Sequence, residues 1–175
     1  MKLIAFVFCL LGLASAAVAQ TYADEAADWG IKPTTELETK YYHSKTPVSA
    51  PGAKTITTAE LKNMLDSPSP PLLFDVLNRS SFVIQGAIYL GFDGGDGNVY
   101  AAEKARFAKM LAAVTGGDKD KPMAFYCLSS HCWLSYNASL RAVGEGYRNV
   151  MWYRGGIESW KAAGYPLMRA ELYQW

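Results

Sequence analysis

From about residue 54 onward, short runs of apolar residues alternate with stretches of helical spacing. Thr57 and Glu60 are placed as a capping box: the threonine can accept from the N–H three residues on, and the glutamate can reach back. Leu61, Met64 and Leu65 follow on one helical face, and the Asp-Ser-Pro-Ser-Pro-Pro cluster of 66–71 ends that helix. Residues 72–77, Leu-Leu-Phe-Asp-Val-Leu, form a buried strand with Asp75 embedded in it. A second strand is predicted over 84–90, kinked at Gly86. The glycine-rich, acidic stretch 91–98 has neither the ending of a phosphate loop nor the spacing of a calcium loop and reads as a flexible surface loop. A helix is predicted over 101–114 with Ala105, Ala108, Leu111 and Ala112 inward, stopped by Gly116-Gly117-Asp118. Residues 123–126 make a short buried strand, and from Trp133 the pattern is helical, with Leu134, Ala138, Leu140 and Arg141 on one side. A last strand over 149–153 is broken by Gly155-Gly156, and a helix over 157–163 ends at Gly164-Tyr165-Pro166. Strands that alternate with helices predict an α/β fold, a parallel sheet flanked by helices on both faces.

This pattern assigns 54–170 to one domain, 20–53 to an N-terminal extension and 171–175 to a tail. The extension is low in apolar runs and punctuated by Pro33, Pro47, Pro51 and Gly52. At most a short helix is expected near 23–29, with Tyr41-Tyr42-His43 packing against the domain and His43 as a surface residue.

Composition changes the picture at the N-terminus. Residues 1–19 read as a signal peptide: Lys2, an apolar core over 3–13, and Ala17-Val18-Ala19 before Gln20. The apolar core is too short for a comfortable membrane span. Cys9 lies inside it and away from the cleavage point, which argues against a lipoprotein. A periplasmic or secreted protein is expected, cleaved after Ala19 and with no stable membrane insertion afterwards. Without Lys2 the chain carries 16 Lys+Arg against 16 Asp+Glu, so charge makes no case for nucleic acid or an anionic membrane as partner. Two cysteines then remain, Cys127 and Cys132. A disulfide across so small a loop does little for stability, so pairing would be functional.

The candidate chemistry lies at Cys127, at the C-terminal end of a strand and on a tight loop feeding a helix. Ligands bind at such edges of open α/β sheets. The helix N-terminus supplies N–H groups and a positive partial charge that favour a thiolate and an anion beside it. The candidate loop comprises Leu128, Ser129, Ser130, His131, Cys132 and Trp133, with Trp133 read as packing or as a pocket wall. Asp75 reads as a structural hydrogen-bond acceptor, or as a supporting group beside the cysteine. Cys127, His131 and Cys132 also form a three-ligand metal candidate, but no fourth ligand is evident, so no metal or other cofactor is assigned. The glycosylation patterns at Asn78 and Asn137 are discounted.

Residues 56–168 resemble a rhodanese domain. Thr57-Thr58-Ala59-Glu60-Leu61 resembles its opening helix. Phe74-Asp75-Val76 and Ile84-Gln85-Gly86-Ala87 resemble its Asp-Val-Arg and His-Ile-Pro-Gly-Ala segments. Tyr126-Cys127 matches the strand-end catalytic cysteine, and Gly155-Gly156-Ile157 through Trp160, Gly164 and Pro166 matches the closing Gly-Gly-Ile-x-x-Trp-x-x-x-Gly-x-Pro pattern. The leader and Cys132-Trp133 resemble exported rhodanese-like proteins associated with pyrroloquinoline-quinone-dependent alcohol catabolism, named for a Cys-x-x-Cys-Trp motif. Here four residues separate the cysteines.

The resemblance implies that Cys127 is a persulfide-forming nucleophile for sulfur transfer, with a sulfur donor as partner. An alternative is thiol–disulfide redox or electron transfer with a protein partner, Cys132 acting as resolving thiol. A third reading is a catalytically idle binding module. The loop lacks the family's arginine, and Leu77 replaces another after Asp75-Val76. Related phosphatases close the loop with arginine, which this chain cannot do. His131 substitutes for the missing charge only when protonated. Weak turnover of anionic donors such as thiosulfate is therefore expected.

Overall fold

The computed structural model describes residues 21–175. The expected leader, with Cys9 and the cleavage point after Ala19, lies outside the described residues. Seven strands and four helices follow in order: β1 (Lys54–Ile56), α1 (Thr58–Leu65), β2 (Leu72–Asp75), β3 (Phe82–Ile84), β4 (Ile88–Tyr89), α2 (Ala101–Thr115), β5 (Met123–Tyr126), α3 (Trp133–Gly144), β6 (Val150–Tyr153), α4 (Gly156–Ala162) and β7 (Leu167–Arg169). The main sheet runs β1-β6-β5-β2-β4, and every pairing in it is parallel.

The period-two alternation of β5 distributes the core. Met123 and Phe125 face one layer, packed with Phe107, Met110 and Leu111 of α2 and Leu134, Ala138 and Ala142 of α3. Ala124 and Tyr126 face the other, with Leu61 of α1 and Ile157 and Trp160 of α4. Helices therefore cover both faces, and β5 lies in the middle of the sheet. At α1 the capping box forms: the Thr57 hydroxyl accepts from Glu60 N–H, and the Glu60 carboxylate accepts from Thr57 N–H at 2.8 Å.

Four local expectations change. The run 84–90 is two elements, because Gly86 turns the chain at φ +82° and sends β3 and β4 to different sheets. β3 pairs antiparallel with β7, a ribbon that no apolar alternation announced. Helix α2 is rotated from its expected face: Phe107, Met110 and Leu111 are buried, while Ala105 and Ala112 face solvent, because the larger apolar side chains take the core. The stretch 91–98 packs onto α3 and contains a 3-10 turn over Phe92–Gly94. Its glycines answer close approach: a Cβ on Gly95 would sit 2.5 Å from the Leu134 carbonyl oxygen. Asn137 donates to the Gly95 carbonyl, and the Arg141 guanidinium to those of Asp93 and Gly94.

The extension lies outside the sheet and forms no helix; only a turn occurs at 23–26. Tyr42 packs on the domain and donates to Asp96, whereas Tyr41 and His43 are exposed. At the other end of the chain, Tyr173 N–H donates to the Tyr89 carbonyl, so the tail lies along the β4 edge. Among the described residues no helix is long and apolar enough to cross a membrane.

Candidate functional site

Cys127 leaves the sheet directly after β5, and α4 fixes its exit. The Ile157 N–H donates to the Cys127 carbonyl and the Glu158 N–H to the Leu128 carbonyl, both at 3.0 Å. Gly156 lets α4 come this close: it sits at φ +62°, and a Cβ there would lie 2.5 Å from the Cys127 carbonyl oxygen. At the far end of the loop, Cys132 is the N-cap residue of α3 and makes no side-chain cap. Its sulfur is instead bonded to that of Cys127, across a Cα–Cα separation of 6.1 Å, well within disulfide reach. Cys127 is 1% exposed and Cys132 fully buried. The disulfide removes both thiolates from the metal-ligand set considered above, and no group of three or more His, Cys, Asp or Glu among the described residues could hold a metal ion.

The N–H groups expected to be open at the start of α3 are taken. Trp133 N–H donates to the Tyr42 carbonyl at 2.8 Å, and Cys132 N–H to the Ser129 carbonyl at 3.1 Å. In the disulfide state the loop therefore holds no free pair of N–H groups at these two positions to cradle an anion. Its Ser130 carbonyl accepts twice from Thr46, from the N–H at 3.1 Å and from the hydroxyl at 2.7 Å. Trp133 packs edge-on against Tyr136, and its indole N–H bonds the Ser44 hydroxyl and the Lys45 carbonyl. The His131 ring lies 5.0 Å from that of Trp29, with Lys45 over the other aromatic system of the pair, Trp29. Leu128 and Ser129 are half-buried, with Leu128 bridging the packing of the two main core layers. Every loop residue picked out in the sequence is thus brought together, but under a strap, residues 22–46, that the sequence did not mark as part of the site.

Two residues were missed, one in the strap and one facing it. Glu25 is buried: one carboxylate oxygen accepts from both the N–H and the hydroxyl of Thr58, and the other from Tyr22 N–H. Arg154, the residue after β6, is 1% exposed and donates to the carbonyls of Glu25 and Thr46 and to the Thr46 hydroxyl. Its one legible signal was a cation placed directly after an apolar strand, at the same sheet edge as Cys127.

Asp75 ends β2 fully buried. One oxygen accepts from Leu77 N–H at 2.7 Å and the other has no hydrogen-bond partner. Burial pushes its pKa up to about 7, against the opposing pull of the Leu77 N–H and the nearby Tyr126 and Ser80 hydroxyls. Its neighbours are thus the turn after β2, Ser80, and Tyr126 of β5, the residue before Cys127. The unfolded carboxyl titrates near ~3.9. Between the two values the native state binds the extra proton, so stability is full below about pH 4 and falls as pH rises to about 7. Asp75→Asn keeps the acceptor and removes the charge. Urea midpoints of the variant are expected to gain on the wild type from pH 5 to pH 8; a constant difference would place the titration elsewhere.

The Rhodanese-like domain family model matches residues 57–163. Among curated proteins no relative matches. A rhodanese-like domain from Anabaena sp. is 19% identical over 68% of this chain and 80% of its own, with a TM-score of 0.49. Thiosulfate sulfurtransferase from Pseudomonas aeruginosa is 20% identical over 69% of this chain but 21% of its own, with a TM-score of 0.50. EanB, in complex with ergothioneine covalently linked with a cysteine persulfide, is 22% identical over 73% of this chain and 35% of its own, with a TM-score of 0.51. At these identities the likeness is one of fold.

Proposed function

Because the chain belongs to the rhodanese-like domain family, we propose that it accepts sulfane sulfur on Cys127 and that Cys132 resolves the resulting persulfide. The observation that carries this reading is the Cys127–Cys132 bond itself, at the strand end where the family places its nucleophile. In the reduced protein the Cys127 thiolate attacks the outer sulfur of a donor such as thiosulfate. The donor's S–S bond breaks, sulfite leaves with the bonding pair, and a persulfide remains. The Cys132 thiolate then attacks the Cys127 sulfur. The disulfide forms and the outer sulfur leaves as hydrosulfide, so two thiols are oxidised as one sulfane sulfur is reduced. Each cycle ends in the state described above and needs a dithiol reductant, a thiol–disulfide protein partner, to restore it. Where an acceptor thiol takes the sulfur first, the same persulfide serves simple transfer.

Export and service to pyrroloquinoline-quinone-dependent alcohol catabolism belong to the same proposal. They rest on the leader-like residues 1–19 and on Cys132-Trp133.

Mass spectrometry of the reduced chain after thiosulfate or polysulfide tests the roles. Cys132→Ser is expected to hold one added sulfur on Cys127, Cys127→Ser none, and the wild type to return to the disulfide with sulfide released. Sulfur uptake on Cys132 at the wild-type rate in Cys127→Ser would reverse the assignment. A persulfide lifetime unchanged by Cys132→Ser would leave Cys132 with no resolving role.

A further inference from the structure

We infer that Arg154 is the anion-binding, specificity-determining residue of the sulfur site, and that the strap occupies its guanidinium with neutral oxygens until a donor bearing a sulfonate-type group displaces them. The inference rests on the reading of Cys127 as the sulfur-carrying group.

Strand register places the two residues together. Tyr126 and Tyr153 are partners in the parallel β5–β6 pair, and Cys127 and Arg154 are the next residue of each strand. Neighbouring strands run roughly 4.8 Å apart. A bridge through Thr46 joins Arg154 to the cysteine loop, since the hydroxyl that accepts from Arg154 Nε at 3.1 Å donates to the Ser130 carbonyl at 2.7 Å. The arginine missing from the loop is therefore supplied from the adjacent strand end.

The partners of Arg154 are unusual for a buried cation. Nη1 donates to the Glu25 carbonyl at 2.8 Å, Nη2 to the Thr46 carbonyl at 3.0 Å and Nε to the Thr46 hydroxyl. All three acceptors are neutral, and all three belong to the strap. Among the described residues no carboxylate pairs with it. The Glu25 carboxylate faces away, held by Tyr22 and Thr58. Desolvating a cation without a counter-charge is costly, and an oxyanion would supply that counter-charge while keeping the charge-assisted hydrogen bonds. A guanidinium fork matches two oxygens of one oxyanion. The Glu25 and Thr46 carbonyl oxygens stand where two oxygens of a sulfonate group would sit, and the sulfane sulfur it carries would then lie toward Cys127. Thiosulfate and organic thiosulfonates share this chemistry.

The test uses the reduced full chain carrying Cys132→Ser, which holds the added sulfur, loaded with thiosulfate or with inorganic polysulfide, which brings the same sulfur without a sulfonate. Thr46→Val removes the bridging hydroxyl and loosens the strap over Arg154. The thiosulfate concentration that half-saturates Cys127 loading is expected to fall by about fivefold or more, and polysulfide loading to stay unchanged. Arg154→Gln is expected to raise the thiosulfate value and to erase the gain when combined with Thr46→Val, and Arg154→Lys to recover part of it. Polysulfide loading of each variant reports that it is folded. Equal effects of the substitutions on both donors would make Arg154 a clamp for the strap and overturn the inference. Should Arg154→Gln not fold, Thr46→Val and Arg154→Lys decide alone: no thiosulfate-specific change in either overturns it. Failure of both donors to load Cys127 in the Cys132→Ser chain would instead remove the sulfur-carrying reading itself.

Discussion

Gly156→Ala is expected to cost about 3–5 kcal/mol and to dislodge the cysteine loop. An alanine at φ +62° carries a left-handed penalty of about 1–2 kcal/mol. Its Cβ also meets backbone, the Cys127 carbonyl oxygen at 2.5 Å and the Leu128 carbonyl group at 2.6 Å, which no rotamer change relieves. Moving α4 away breaks the two hydrogen bonds from Ile157 and Glu158 that fix the start of the loop, each worth about 1 kcal/mol. Gly164→Ala is the control, because Gly164 also has positive φ, +75°, but no heavy atom within 4 Å of a new Cβ. Urea unfolding should show a loss near 1 kcal/mol there and several times that at Gly156. In the reduced protein, Cys127 alkylation is expected to change in Gly156→Ala alone. Equal losses at both positions would mean that the close approach contributes nothing.

Trp152→Ala is the second large effect, about 3–5 kcal/mol, roughly a fifth or more of the stability of an ordinary domain. Trp152 is the middle of β6 and fully buried. It packs edge-on against Tyr136 with ring centroids 5.2 Å apart, in a cluster with Trp133 and Leu140 of α3 and Ala50 of the extension. Its indole N–H donates to the buried Ser135 hydroxyl at 3.0 Å. Alanine leaves a cavity between sheet, helix and extension, and also an unpaired serine. Trp152→Phe keeps most of the volume and is expected to lose about 1–2 kcal/mol, the hydrogen-bond share. Calorimetric or urea-derived losses below 1 kcal/mol for the alanine variant would show that this cluster does not hold the extension to the domain.

The sequence exposed what depends on side-chain periodicity. The β5 and β6 strands, the capping box and the Gly-Gly start of α4 are local patterns, and they appear within a residue or two of their expected places. It concealed what depends on partners. β1 has three residues with one fully buried position, too few for a period, and exists because β6 offers an edge. The kink at Gly86 was legible, but the change of sheet was not, since a turn does not name the strand it leads to. The site divides along the same line. Cys127 and its loop are marked by residue type, whereas the disulfide depends on a Cα separation that only the folded loop determines. The strap was invisible because its grip is mostly backbone: the carbonyls of Glu25, Tyr42 and Thr46 are the same group in any sequence.

That grip has a kinetic corollary. The hydrogen bonds that fasten the strap to Ser130, Arg154 and Ser159 join residues 84 to 137 positions apart. Contacts of such long range require the ordering of everything between them before they return any energy. The strap therefore docks after the sheet has formed, and its bonds are largely missing from the folding transition state. Interactions of that kind hardly change how fast a chain folds and mainly set how slowly it unfolds. Strap substitutions such as Thr46→Val belong on the unfolding limb of a chevron plot, leaving the folding limb near that of the wild type.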